Sequence, residues 1–116
     1  MGKAIVGFQY VERVKSELII AAKMIERLGE LTGDELKGAS KLFSFFLVAL
    51  ESEINIAYNV LERTEFETAA ARVREASEKV DLNQYGVAMK LLSEAISHVA
   101  STGQWAMQTL KNHNLL

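Results

Sequence analysis

The chain has 116 residues, 49% of them hydrophobic, and its 13 basic and 15 acidic side chains leave a net charge of −2. This length and apolar content predict one folded domain over residues 1–116 and argue against a disordered chain. The near balance of charge disfavours nucleic acid and anionic membranes as partners. The absence of cysteine excludes disulfides, zinc-thiolate sites and thiol nucleophiles.

The segment from Met1 to Phe8 has too short an apolar stretch for a secretory signal, which needs about 7–15 apolar residues. No segment approaches the roughly 20 apolar residues of a membrane span. We therefore expect a cytoplasmic protein that does not contact membranes. The chain also lacks proline, so long segments are free to propagate as helices.

The first predicted helix runs from about Phe8 to Leu31. Its apolar residues alternate at spacings of three and four, the pattern of a seam between packed helices. They are Val11, Val14, Leu18, Ala21, Ile25 and Leu28. Three capping boxes, in which the N-cap and N3 side chains each bond the other residue's backbone, predict three further helix starts. These boxes are Thr32 with Glu35, Thr64 with Glu67, and Asp81 with Gln84.

The second predicted helix runs from about Gly33 to Arg63, and Gly33 is expected to help the chain turn. Its apolar stripe consists of Leu36, Ala39, Phe43, Phe46, Leu50, Ile54, Ala57 and Leu61. Between Leu42 and Leu50 the only polar residue is Ser44, although a surface helix needs only one apolar side.

This surplus of apolar residues must be covered by the other helices of the chain or by a second copy. The candidate residues for an interface between copies are Leu42, Phe45, Leu47 and Ala49. Asn55 and Asn59, one turn apart on the same helix, are expected to face solvent, a pocket or a partner.

The third predicted helix, about Glu65 to Val80, buries Phe66, Ala69, Val73, Ala76 and Val80. The fourth, about Leu82 to Asn112, has two stripes with a possible kink at Gly103. One stripe holds Tyr85, Met89, Leu92, Ile96, Val99, Ala106 and Leu110, and the other holds Ala88, Leu91, Ala95, His98 and Trp105. Four helices with short connections predict an all-α, antiparallel, up-down-up-down four-helix bundle.

A possible pocket involves Glu94, His98 and Trp105 on the fourth helix. Glu94 and His98 lie four residues apart, whereas ferritin-like metal sites place Glu and His three apart on each of two helices, with further glutamates. We therefore assign no catalytic residue, metal ligand or cofactor, and we interpret His98 as a packed or hydrogen-bonded histidine.

The segments Glu62-Arg-Thr-Glu65 and Glu78-Lys-Val-Asp81 resemble the ExxE…ExxD pattern of the all-α MazG-like nucleotide pyrophosphohydrolases. The resemblance implies that these carboxylates hold magnesium, which activates water for attack on a nucleoside triphosphate. In this chain, however, the third helix would hold the two clusters about 20 Å apart. Ligands of a shared metal must lie within about 5 Å of each other.

Two classes of function remain at this stage. The first is a non-catalytic interaction or scaffold module, a homodimer or larger homo-oligomer, with an unidentified protein as a further possible partner. The alternative is a small all-α enzyme or ligand-binding bundle, such as a divalent-metal-dependent nucleotide pyrophosphohydrolase.

Overall fold

The computed structural model describes residues 2–114 and consists of four long α-helices with short connections. They are α1 (Gly2–Leu28), α2 (Gly33–Leu61), α3 (Thr64–Asp81) and α4 (Tyr85–Asn112). Helices adjacent in sequence pack side by side, and α4 closes the ring against α1, so α2 and α4 occupy opposite corners. The predicted up-down-up-down four-helix bundle is confirmed. Its extents are 54 × 22 × 17 Å, so every helix keeps one long side at the surface.

The core contains the apolar stripes expected for α1 and α3. All six stripe residues of α1 and all five of α3 are buried, as the alternation of three and four predicts. α1 begins at Gly2 rather than near Phe8, which adds Ala4 and Gly7 to its buried side. Met1, the first residue of the segment considered as an export signal, lies outside the described residues.

The predicted capping boxes do not form. Thr32 does occupy the N-cap of α2, but its side chain makes no capping hydrogen bond. Thr64 lies one position too late, because Arg63 is the N-cap of α3. Gly33, where the chain was expected to turn, has a φ of +59°.

The third box is wrong because α3 extends through Asp81 and ends in a Schellman motif. Asn83 adopts the left-handed conformation with a φ of 61°. Its N–H donates to the carbonyl of Val80 at 3.0 Å, and the N–H of Gln84 donates to the carbonyl of Lys79 at 2.8 Å. The residues assigned from sequence to the start of α4 therefore close the end of α3.

α4 is continuous from Tyr85 to Asn112, so Gly103, where a kink was considered, does not interrupt the helix. A β-carbon placed at Gly103 would lie 3.0 Å from Cγ1 of Val11. This glycine lets α4 approach α1 closely. On the other side of the bundle, α2 and α3 are joined by a buried hydrogen bond between the hydroxyls of Ser44 and Ser77, 2.9 Å long.

Candidate interaction surface

The outward side of α2 carries no charged residue between Leu42 and Val60. Nine residues of this segment are exposed, and they define the α2 outer face: Leu42, Phe45, Val48, Ala49, Ser52, Asn55, Ile56, Asn59 and Val60. The side chains of Leu42 and Phe45 are 70% and 60% exposed. Six of the nine are apolar, and a continuous apolar surface of this kind suits contact with protein better than contact with water.

The local sequence produces this surface because α2 contains two seams on different sides of one helix. The inner seam passes through Phe43, Leu47, Leu50 and Ile54, all of which are buried. The outer seam has the same alternation of four and three residues, and its members are Leu42, Phe45, Ala49, Ser52, Ile56 and Asn59. The bundle covers only the inner seam.

The two acidic residues of this segment, Glu51 and Glu53, contact the neighbouring helices and do not belong to the α2 outer face. Glu53 forms an ion pair with Arg13 of α1, and Oε2 of Glu51 lies 3.5 Å from Nη1 of Arg74 on α3. The side chains of Glu51 and Glu53 are only 17% and 22% exposed. These pairs satisfy the charges within the chain and leave the α2 outer face neutral.

Arg13 also contacts a second carboxylate on its own helix, because its Nε lies 3.5 Å from Oε1 of Glu17. Burial raises the pKa of Glu17 above 4.5, and a hydrogen bond and charge repulsion from Glu53 raise it further. Arg13 opposes this change but does not cancel it. Three charged side chains, Arg13, Glu17 and Glu53, therefore lie together at the edge of the α1–α2 interface, whereas the α2 outer face beside it has none.

A groove of about 610 Å³ opens between α1 and α2 next to the α2 outer face. We call it the α1–α2 groove, and its walls are almost entirely apolar. It is lined by Met24, Arg27, Leu28, Leu31, Ala39, Leu42, Phe43, Phe45 and Phe46. Of the four neighbouring helix pairs, α1 and α2 make the sparsest contact. Leu42 and Phe45 belong to both features, so the two form one continuous apolar region.

Of the four residues predicted at an interface, Leu42, Phe45 and Ala49 lie on the exposed side of α2. Leu47 does not, because it is fully buried in the core of its own chain. The inner seam passes through Leu47, whereas Phe46, assigned to that seam from sequence, is only partly buried at its edge. Leu47 is therefore corrected to a core residue.

Sequence reasoning missed Val48, Ile56 and Val60, which are all about half exposed. The heptad spacing could have revealed Ile56, because it lies one heptad after Ala49 and two heptads after Leu42. Asn55 and Asn59, whose setting was left open, are exposed members of the α2 outer face.

Two of the three predicted pocket residues on α4, Glu94 and Trp105, each contact an arginine from outside α4. Oε2 of Glu94 lies 3.1 Å from Nε of Arg72 on α3. The guanidinium carbon of Arg63 lies 4.3 Å from the centroid of the Trp105 ring, a cation–π contact. His98 lies between them on the helix and is partly buried.

The carboxylates of the MazG-like pattern are not brought together. Glu62 caps the end of α2 and Asp81 ends α3, and the helical rise separates Glu65 from Glu78 by about 20 Å. Glu65 instead lies 3.4 Å from Arg63, measured between Oε1 and Nη2. Within residues 2–114, no group of three or more histidine, aspartate or glutamate side chains is placed to hold a metal ion.

Fold and surface together define this chain as an all-α four-helix bundle in which the exposed residues of α2 from Leu42 to Val60 are uncharged and mostly apolar. No family model matches the chain, and no significant similarity to a curated protein or a solved structure was found. In the described part of the chain, none of the helices combines the length and the apolar character needed to cross a bilayer.

Proposed function

We propose that this protein is a non-catalytic interaction module that self-associates, with the α2 outer face of one copy bound to that of another. The observation that carries the proposal is that none of the nine exposed residues from Leu42 to Val60 is charged and six of them are apolar. At 1.5 Å per residue this stretch is about 27 Å long. Surfaces of this kind on small proteins mark contact sites for other macromolecules.

The size of the region supports a dimer. The α2 outer face is about 27 Å long and one helix, about 10 Å, wide, and the α1–α2 groove widens it only at the end near Leu42 and Phe45. The projected footprint is therefore roughly 300 Å². This is below the roughly 800 Å² per partner of a standard interface and matches a weak, reversible dimer.

The arrangement of charges supports the same proposal. Burying an unpaired charge at an interface costs several kcal/mol. Here Glu51 and Glu53 are already paired with arginines on either flank, so covering the α2 outer face buries no unpaired charge. Ser52, Asn55 and Asn59 supply hydrogen-bonding groups among the apolar residues.

The experiment is sedimentation velocity of the wild-type chain, Phe45→Glu and Ser97→Glu. Ser97 is a matched control because it is an exposed mid-helix residue on α4, at the opposite corner of the bundle. We expect the wild type and Ser97→Glu to sediment as dimers and Phe45→Glu as a folded monomer, since a buried carboxylate in the interface is unfavourable. Equal sedimentation of Phe45→Glu and the wild type would overturn the proposal.

A further inference from the structure

The α2 outer face is complementary to itself when two copies of the helix run in opposite directions. We infer that the dimer is an antiparallel α2–α2 pair whose two-fold axis passes between Ala49 and Ser52. This inference rests on the proposed self-association and adds its geometry, its orientation and the occupant of the α1–α2 groove.

The outer seam sets the register of the pair. With the axis between Ala49 and Ser52, Ala49 of one copy faces Ser52 of the other, and Phe45 faces Ile56. Small residues at the centre let the two helix axes approach closely. Larger residues on either side fill the wider space where crossed helices diverge.

Charges at the two ends of the face select the antiparallel orientation. Lys41 and Glu62 are both exposed, Lys41 just before the α2 outer face and Glu62 at the C-cap of α2 just after it. The antiparallel pair brings Lys41 of each copy to the same end as Glu62 of the other. A parallel pair would place like charges together at both ends. Such rim charges set orientation more than affinity.

Glu62 is available for this contact. Its side chain is 77% exposed, and among residues 2–114 its nearest cation is Nζ of Lys3 at 4.0 Å. The N–H of Glu62 donates to the carbonyl of Tyr58 at 2.7 Å, which fixes its backbone at the end of α2. The carboxylate is therefore held at one end of the face by its backbone and only weakly by an ion pair.

The antiparallel register also places an occupant over the α1–α2 groove. Residues near Leu42 of one copy face residues near Asn59 of the other, so Ile56 and Val60 of the second copy lie above the groove. These side chains are 55% and 45% exposed in the single chain, and the groove that receives them is apolar. The two-fold axis fills both grooves in the same way.

The absence of cysteine from the chain makes directed crosslinking a direct test. Differently tagged Leu42→Cys and Asn59→Cys chains are mixed, allowed to exchange subunits and oxidised mildly. The antiparallel pair brings these two positions opposite each other, within reach of a disulfide. We expect the mixed pair to crosslink at least tenfold faster than either variant alone. Faster crosslinking of Leu42→Cys with itself would overturn the inference in favour of a parallel pair.

Sedimentation of the same samples before oxidation separates the two proposals. A dimer in which neither combination crosslinks would overturn the antiparallel α2 pair and leave self-association intact. A monomer would overturn both.

Charge exchange provides a second readout. Lys41→Glu is expected to weaken the dimer about threefold to tenfold, and adding Glu62→Lys is expected to restore it. A double variant no tighter than Lys41→Glu alone would contradict the Lys41–Glu62 contact.

Discussion

The exposed sides of α2 and α4 differ sharply although the two helices have nearly the same length, 29 and 28 residues, and occupy opposite corners of one bundle. On α4 the exposed side carries Ser93, Ser97 and Ser101, and each hydroxyl donates to the backbone carbonyl one turn earlier at 3.1–3.2 Å. Gln104 and Gln108 accompany them, and Lys90 and Lys111 lie at the two ends, so this side is uncharged in its middle but polar, which suits it to water. On α2 the corresponding positions are uncharged and largely apolar.

The comparison shows that exposure of single apolar residues is a weak signal, whereas their continuity is informative. Val87 and Met107 of α4 are about half exposed, but they lie 20 residues apart among polar neighbours, which is normal for a protein surface. On α2 the apolar residues follow one seam, and the glutamates of the segment are paired sideways.

The largest expected effect distinguishes the two seams of α2. Leu47→Glu places a carboxylate in the core and is expected to cost more than about 4 kcal/mol, enough to abolish cooperative unfolding. Phe45→Glu, two residues earlier but exposed, is expected to retain a cooperative thermal transition. Circular dichroism during heating measures both. A folded Leu47→Glu variant would contradict the assignment of Leu47 to the core.

The next largest effect is expected on dimerisation, when the same charged side chain is placed at the centre of the α2 outer face or on the serine side of α4. Ala49→Arg introduces a long charged side chain where we infer the closest approach of two copies, and it is expected to weaken dimerisation at least thirtyfold, as at an interface hot spot. Ser97→Arg adds the same side chain to α4 and is expected to leave dimerisation unchanged. Analytical ultracentrifugation across a concentration series measures both constants, and equal constants would argue against contact at Ala49.

A smaller effect is expected on the buried side of α4. Thr102 is fully buried, and its hydroxyl has no hydrogen-bond partner within residues 2–114. Thr102→Val keeps the shape of the side chain and removes this polar group, so we expect the free energy of unfolding to rise by about 1 kcal/mol. Urea denaturation at fixed protein concentration measures the change. Thr109→Val is the control, because the Thr109 hydroxyl donates to the carbonyl of Trp105 at 2.9 Å and its removal should bring no gain.

The smallest expected effect is on the pH dependence of stability, through Glu17 at the α1–α2 interface. Because the folded pKa of Glu17 is raised above 4.5, its contribution to stability is full below about that pH and is lost as pH rises through the folded pKa. Glu17→Gln removes this loss, so its advantage over the wild type should grow from acidic to neutral pH and stay below about 1 kcal/mol. The midpoints of denaturant unfolding of both chains, at an acidic and at a neutral pH, measure this advantage. An advantage that shrinks with rising pH would contradict the direction of the pKa change.

Much of the fold was predictable because spacing along a helix is local information. The stripe from Val11 to Leu28 is one example. Ala4 and Gly7, the first buried residues of α1, were missed because small residues do not stand out in an apolar pattern. The start of α4 was misplaced because Asn83 takes a left-handed conformation, a choice that the capping pattern alone does not reveal.

The candidate surface was predictable only in part. Phe46 and Leu47 fit the spacing between Phe43 and Leu50 equally well, so the position of the neighbouring helices decides which of them is buried. The arginines that contact Glu94 and Trp105 come from other parts of the chain, and no local pattern reports such contacts.

The central claim is that the α2 outer face is covered by a second copy, and the most direct test is the solution mass of the wild-type chain by light scattering across a dilution series. We predict about twice the mass of one chain at high concentration, with dissociation on dilution that follows mass action. The mass of a single chain at every concentration would contradict the account, because the apolar seam from Leu42 to Asn59 would then be left uncovered by any second copy.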